Sequence, residues 1–161
     1  MPTVDQLVFA LTLAAALGCG LVAGVFFAFS TFVMKALVRR PAAEGIAAMQ
    51  AINVVVLNPW FLGVFVGTAA LSVAAVAFSL LQWQDRRAAL WLAGGVLYAF
   101  GTFGVTVRFN VPRNDALAGV APDAPDAAGR WADYVSGWTA WNHARTAAAL
   151  AAAAAFSLAL R

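Results

Sequence analysis

Apolar residues run along this chain in four long stretches separated by polar breaks, and the pattern predicts four helices. The first runs from about Val4 to Val33, the second from Pro59 to Leu81, the third from Ala88 to about Val107 and the fourth from Trp138 to Leu160. Each reaches or exceeds the ~20 residues that a helix needs to cross a bilayer. Lys35, Arg39, Arg40 and Pro41 form the first loop. Ala42 to about Val56 then reads as a short, partly amphipathic helix with Met49, Ile52 and Val56 on its apolar side. Asn58-Pro59 interrupts the pattern: proline is best tolerated in a first helical turn and asparagine suits the cap before it, so the second span either starts at Pro59 or is kinked there. Gln82 to Arg87 is a tight polar turn. The one long loop, about Asp115 to Ser136, contains Pro122, Asp123, Pro125, Asp126 and Gly129, and its later half from Ala127 to Tyr134 has room for one or two helical turns. The expectation is all-α: an integral membrane four-helix bundle with a short extra helix before the second span and one long loop between spans three and four, forming a single domain over residues 1–161.

Composition turns those helices into membrane spans. The chain is 63% hydrophobic and 11% charged, with a mean hydropathy of +0.83, whereas a soluble domain carries about 25% charged residues. The lipid bilayer is therefore its first partner. The N-terminal run has Asp5 as its only charge and exceeds the about 7–15 apolar residues of a signal peptide, so it reads as a retained first span. Gly20, Gly24 and Ala28 recur every fourth residue, Gly63 and Gly67 follow in the second span, and Gly94, Gly95, Gly101 and Gly104 lie in the third. Such small-residue faces serve packing within the chain or a homo-oligomer equally well. The net charge of +3 would suit nucleic acid, but the ten Lys and Arg are scattered around loops without a basic stripe, which argues for no nucleic-acid partner. Cys19 stands alone in an apolar run, which leaves no disulfide framework and no thiolate metal site and reads as a buried, inert thiol. Loops one and three hold Lys35, Arg39, Arg40, Arg113 and Arg130, against Arg86, Arg87 and Arg161 on the side of the termini. The positive-inside rule then places the termini outside. The two sides become level if the loop-three arginines are functional.

Polar groups near lipid are costly, and here they collect at one side of the membrane. Gln50, Asn53 and Asn58 precede the second span, Arg108, Asn110 and Asn114 end the third, and Trp138, Trp141, Asn142, His143 and Arg145 open the fourth. Alternate loops share a side, so these three groups and the end of the first span near Ser30, Thr31 and Lys35 meet at one end of the bundle. At about 100° per residue, Trp138, Asn142 and Arg145 share a helix face, Trp141 lies about 60° to one side, and His143 lies roughly 160° from Arg145. A single narrow pocket does not easily take both. Plain structural roles compete throughout. A lone His at a helix start is more often a hydrogen-bonding residue than a catalyst, Arg108 and Arg113 suit interface anchors, and Phe26, Phe27, Phe29 and Phe32 suit lipid contact or core packing as well as a flat aromatic pocket. One His without a patterned carboxylate or Cys is poor ground for zinc or iron. Haem through His143 would need its second axial ligand from across a dimer.

Five segments in order resemble the anthrone oxygenase family: Gly24-Val-Phe-Phe-Ala-Phe-Ser30, Ala48-Met-Gln-Ala-Ile-Asn53, Asn58-Pro-Trp-Phe61, Asn110-Val-Pro-Arg-Asn114 and Trp138-Thr-Ala-Trp-Asn-His-Ala-Arg145. The resemblance implies oxidation of an anthrone to an anthraquinone with O2 as co-substrate and no metal or flavin cofactor, acting on a small, flat, apolar aromatic substrate in a bacterial inner (plasma) membrane. An anthrone CH2 is acidified by the opposing ketone, so a base gives an electron-rich enolate that reacts with O2. On that implication His143, the one side chain here whose ordinary pKa lies near neutrality, is the candidate base. Arg145, Asn142 or Asn110 would donate to the enolate oxygen, Trp138 and Trp141 would stack on the tricycle, and Asn114, Arg108, Asn58, Asn53 and Gln50 would complete the site. Two other classes stand beside it: a non-enzymatic membrane subunit or lipid or quinone binder, and a haem or metal membrane protein.

Overall fold

The computed structural model of the protein describes residues 3–161, and its helices start where local chemistry can cap one. The Thr3 hydroxyl accepts the Gln6 N–H at 3.3 Å, and the Gln6 side chain accepts the Thr3 N–H at 3.0 Å. This reciprocal cap satisfies two donors that a helix otherwise leaves unpaired, and it opens α1, Val4–Val38. Pro41 precedes α2, Ala42–Val55. Asn58 caps α3, Pro59–Leu81: its Oδ1 accepts the N–H of Trp60 and Phe61 at 3.1 and 3.0 Å. α4 spans Ala88–Ala118 and α5 spans Ala127–Leu158. The described residues form these five helices and no strand.

α1, α3 and α4 are each long and apolar enough to cross a membrane, and the chain is an integral membrane protein. α5 is not among them. Its apolar run is mostly alanine, and Asn142, His143 and Arg145 stand just before it. It nevertheless packs as a full member of the bundle, because the long helices meet in ring order α1, α3, α4, α5, each against two neighbours. α2 lies across one end of the ring, against the last turns of α1 and α4 and the first turns of α5.

Three boundaries differ from those the sequence suggested. α1 continues through Lys35 to Val38, α4 runs to Ala118 instead of stopping near Val107, and α5 begins at Ala127 instead of Trp138. The loop expected over 115–136 shrinks to 119–126. The run Arg108 to Asn114, where the sequence suggested the end of the third span, includes Pro112, whose missing N–H and ring would break a regular turn. The chain meets it with a widened backbone. Phe29–Val33 in α1, and Leu97–Gly104 and Thr106–Asn110 in α4, are π-helical. The last of these lies directly before Pro112, where the wider turn takes up the lost bond and the helix continues.

At the end that carries the termini, the ring closes on Ala15, Ala16, Cys19, Trp91, Ala152 and Phe156. Glycine sets this approach. A Cβ on Gly95 would lie 2.6 Å from the Ser72 carbonyl oxygen, and one on Gly94 would lie 3.0 Å from the Phe156 ring. Among the described residues, Gly20, Gly24, Gly63 and Gly67 have nothing within 4 Å of a built Cβ, so these glycines do not set a close approach between helices there.

Candidate functional site

At the opposite end the ring does not close. A cavity of about 540 Å³ opens among the five helices, within the size range of small-molecule sites. Its walls are largely apolar and strongly aromatic: Phe26 and Phe29 from α1, Phe61 and Phe65 from α3, and Trp138 from α5. Phe65 is the hub, with its ring centroid between 5.2 and 6.4 Å from those of Phe26, Phe61, Tyr98 and Phe103.

Arg145 is the one cation in this largely apolar wall. It is 5% exposed and lines the cavity. Among the described residues no carboxylate lies within ion-pair distance of it. Its Nε donates to Asn142 Oδ1 at 3.0 Å and its Nη1 to Thr106 Oγ1 at 3.1 Å. Its guanidinium carbon lies 3.8 Å from the Phe26 ring centroid and 5.0 Å from that of Trp138. A guanidinium carries five N–H donors, and two are used, so the remaining three are free of protein partners among the described residues. A buried cation without a counter-charge is costly. A negative or strongly hydrogen-bond-accepting group in the cavity would offset that cost.

The π-helical stretches supply part of what holds Arg145: Thr106 bonds it directly, and Ser30 bonds Asn142. Asn142 is fully buried, and its Nδ2 donates to the Phe26 carbonyl at 2.8 Å and to Ser30 Oγ at 2.7 Å. Thr146 spends its hydroxyl proton on the Asn142 carbonyl at 2.6 Å, so at 3.2 Å Ser30 is the donor to Thr146 Oγ1. Thr106 gives its own proton to the Thr102 carbonyl at 2.8 Å, which leaves its oxygen to accept from Arg145. Thr102 in turn donates to the Arg145 carbonyl at 3.4 Å. Ser30, Thr102, Thr106 and Asn110 all sit in π-helical stretches, and each bonds the polar face of α5. The widened turns are thus part of the site, as π-bulges often are.

The structure divides the candidate residues. Arg145, Trp138, Asn114, Asn53 and Gln50 line the cavity. Gln50 has its amide committed to the Leu117 and Val120 carbonyls, both at 2.9 Å, and Asn114 accepts the Tyr134 hydroxyl at 3.0 Å. Burial holds the Tyr134 phenol well above its usual range, so it acts there as a donor. Asn142 stands behind Arg145 with its amide spent on positioning. Asn110 is fully buried and donates to the Trp138 carbonyl at 3.2 Å, outside the cavity wall. Asn58 is a helix cap, with its Nδ2 on the Val55 carbonyl at 3.0 Å. Trp141 stacks on Phe109 at 3.6 Å, and Arg108 lies over the same Phe109 ring at 5.4 Å, so both pack outside the cavity. His143 is exposed on the far side of α5 and does not line the cavity. The roughly 160° between His143 and Arg145 is what separates them.

Several lining residues were not singled out from the sequence. Phe61, Phe65, Thr106 and Asp115 belong to the cavity. Phe26 and Phe29 line it, while Phe27 and Phe32 of the same cluster are exposed. Helical spacing carries one usable signal: Val111, Asn114, Asp115 and Ala118 repeat at three and four residues and line the cavity together. Among the described residues no three His, Cys, Asp or Glu side chains are grouped to hold a metal ion.

The family model described as anthrone oxygenase matches residues 57–155. No curated protein and no solved structure matches the chain. The matched segment contains α3, α4 and most of α5, and so Arg145, Asn142, Thr106 and Trp138; α1 and α2 add the aromatic wall of Phe26 and Phe29. The chain belongs to the anthrone oxygenase family.

Proposed function

We propose that the cavity oxidises a flat, apolar aromatic ketone of the anthrone type with O2 as co-substrate and no metal or organic cofactor. The observation that carries this reading is Arg145: a buried guanidinium with no carboxylate partner among the described residues, with donors to spare, in an aromatic cavity open at a membrane protein's bundle end. An anthrone ring system fits between aromatic walls, with its ketone oxygen turned to Arg145. Removal of a proton from the opposing CH2 places negative charge on that oxygen, where preorganised donors stabilise charge that develops in the reaction. The enolate passes one electron to O2, and the carbon radical and superoxide combine to form a C–O bond. After protonation, the remaining C–H proton leaves, the O–O bond breaks and water departs. The sum is CH2 plus O2 giving C=O plus water. Asn142 and Thr106 hold the guanidinium in place, and the dry wall limits side reactions of the radical pair. The reaction needs a proton acceptor within reach of the cavity, which His143 does not supply from the outer face of α5.

The test is oxidation of anthrone by the purified protein in lipid nanodiscs under isotopically labelled O2. The reading expects one labelled oxygen in each anthraquinone formed, one O2 consumed per product, and no Soret band in the protein's absorption spectrum. Tight binding of anthraquinone without turnover of anthrone would instead mark the protein as a binder of aromatic ketones or quinones.

A further inference from the structure

We propose that Asp115 is the proton acceptor of the cavity, a role that rests on the oxidation reading above. Of the side chains that line the cavity, Arg145 and Asp115 are the two that carry charge at neutral pH. The chemistry needs two stations on opposite edges of the central ring, because the ketone oxygen and the acidic CH2 lie across that ring from each other. One must donate to oxygen and the other must accept a proton. A cation and an anion in an otherwise uncharged cavity form such a set.

The placement of Asp115 suits the second station. It lies near the end of α4, on the face that also gives Val111, Asn114 and Ala118 to the cavity. The ion pairs among the described residues use Glu44, Asp85 and Asp126, and no hydrogen bond engages the Asp115 carboxylate. Its oxygens are free to take a proton. Asp115 is also exposed, so the proton it takes can pass to water, whereas Arg145 is buried in the cavity wall. The competing groups are placed otherwise. His143 faces outward, and Tyr134 donates its hydroxyl to Asn114. Asp133 lies in a separate groove beside Arg113 and Arg130. The amides of Gln50, Asn53 and Asn114 are not bases at neutral pH.

The experiment compares anthrone oxidation by the parent, Asp115→Asn, Asp115→Glu, Asp115→Ala and Arg145→Gln proteins in nanodiscs, with CH2- and CD2-labelled substrate. Thermal midpoint and anthraquinone binding serve as checks on the fold. Asp115→Asn is expected to lower kcat by about 10²–10⁴-fold, the range for loss of a general base, with KM little changed and a larger deuterium isotope effect. Asp115→Glu keeps most of the activity, and added formate or acetate restores part of the Asp115→Ala rate in a concentration-dependent way. A merely structural role would show neither carboxylate rescue nor a change in isotope effect. If the parent oxidises anthrone, Arg145→Gln does not, and Asp115→Asn matches the parent, the assignment of Asp115 is overturned while the oxidation reading stands. A parent protein that does not oxidise anthrone overturns both.

Discussion

At the end that bears the termini, Gly95 of α4 lies so near α3 that an added Cβ would meet the Ser72 carbonyl at 2.6 Å. At the other end the same α4 is π-helical over Leu97–Gly104 and Thr106–Asn110, and a cavity of about 540 Å³ lies beside it. Both ends use the same four helices. They differ in backbone and in side-chain size. Regular turns with Gly and Ala let helices approach until no space remains, which in lipid is how packing stabilises a bundle. At the open end the widened turns lie in α1 and α4, large rings from the regular helices α3 (Phe61, Phe65) and α5 (Trp138) line the cavity, and Ser30, Thr102 and Thr106 of the widened turns bond to α5. One end is thus closely packed, and the other keeps a cavity at a cost in packing.

That division can be broken or sharpened by mutation. The largest stability effect is expected at the closed end. Phe156→Ala removes a fully buried ring and should cost about 3–5 kcal/mol in reversible unfolding in detergent, while the folded fraction keeps its activity. Equal loss of activity per folded molecule would break the separation of the two ends. Asn142→Leu, at the open end, removes the acceptor of Arg145 Nε. It should cost about 1.5–3 kcal/mol, as for a hydrogen bond to a charged group, and should lower activity as well. Gly95→Ala should cost roughly 1–3 kcal/mol by overpacking, read as a fall in thermal midpoint with substrate binding unchanged. The smallest effect concerns pH. At the closed end the Arg87 guanidinium, which takes Asp85 in a two-pronged ion pair, holds that carboxyl down to about 2. A depressed carboxyl stabilises the fold above its ordinary range and loses that contribution as pH falls from about 4 toward 2. The pair is partly exposed, so screening limits the effect to less than about 1 kcal/mol. A thermal midpoint that falls between pH 5 and pH 2.5 in the parent should fall less in Asp85→Asn.

Much of this architecture was legible in the order of apolar and polar residues, and the misses have physical causes. Asn58-Pro59 narrowed α3 to a start or a kink at Pro59, because a cap and a first-turn proline are local chemistry. The position of Trp138, Asn142 and Arg145 on one face, with His143 on another, followed from helical periodicity, and burial follows that division. The π-helical turns were invisible, since widening a helix depends on the neighbours packed against it and leaves no residue pattern. Without widened turns, the run from Arg108 to Asn114 reads as the end of the third helix and Asp115 as a loop residue. The Phe cluster of α1 was ambiguous for the same reason: a strongly apolar helix shows lipid and core the same composition, and only packing separates Phe26 from Phe27. Asn58 falls among the site candidates because it precedes the second span on the same side of the membrane as Gln50 and Asn53, although its cap role already accounts for it.

The most direct measurement is the rate of O2-dependent anthrone oxidation by Arg145→Gln and His143→Ala proteins beside the parent, each shown to be folded and to bind anthraquinone. The account predicts that Arg145→Gln loses about 10²–10³-fold in kcat, the range for loss of one oxyanion donor, while His143→Ala keeps the parent rate. Parent-like turnover in Arg145→Gln together with loss of turnover in His143→Ala would contradict it and move the chemistry to the outer face of α5.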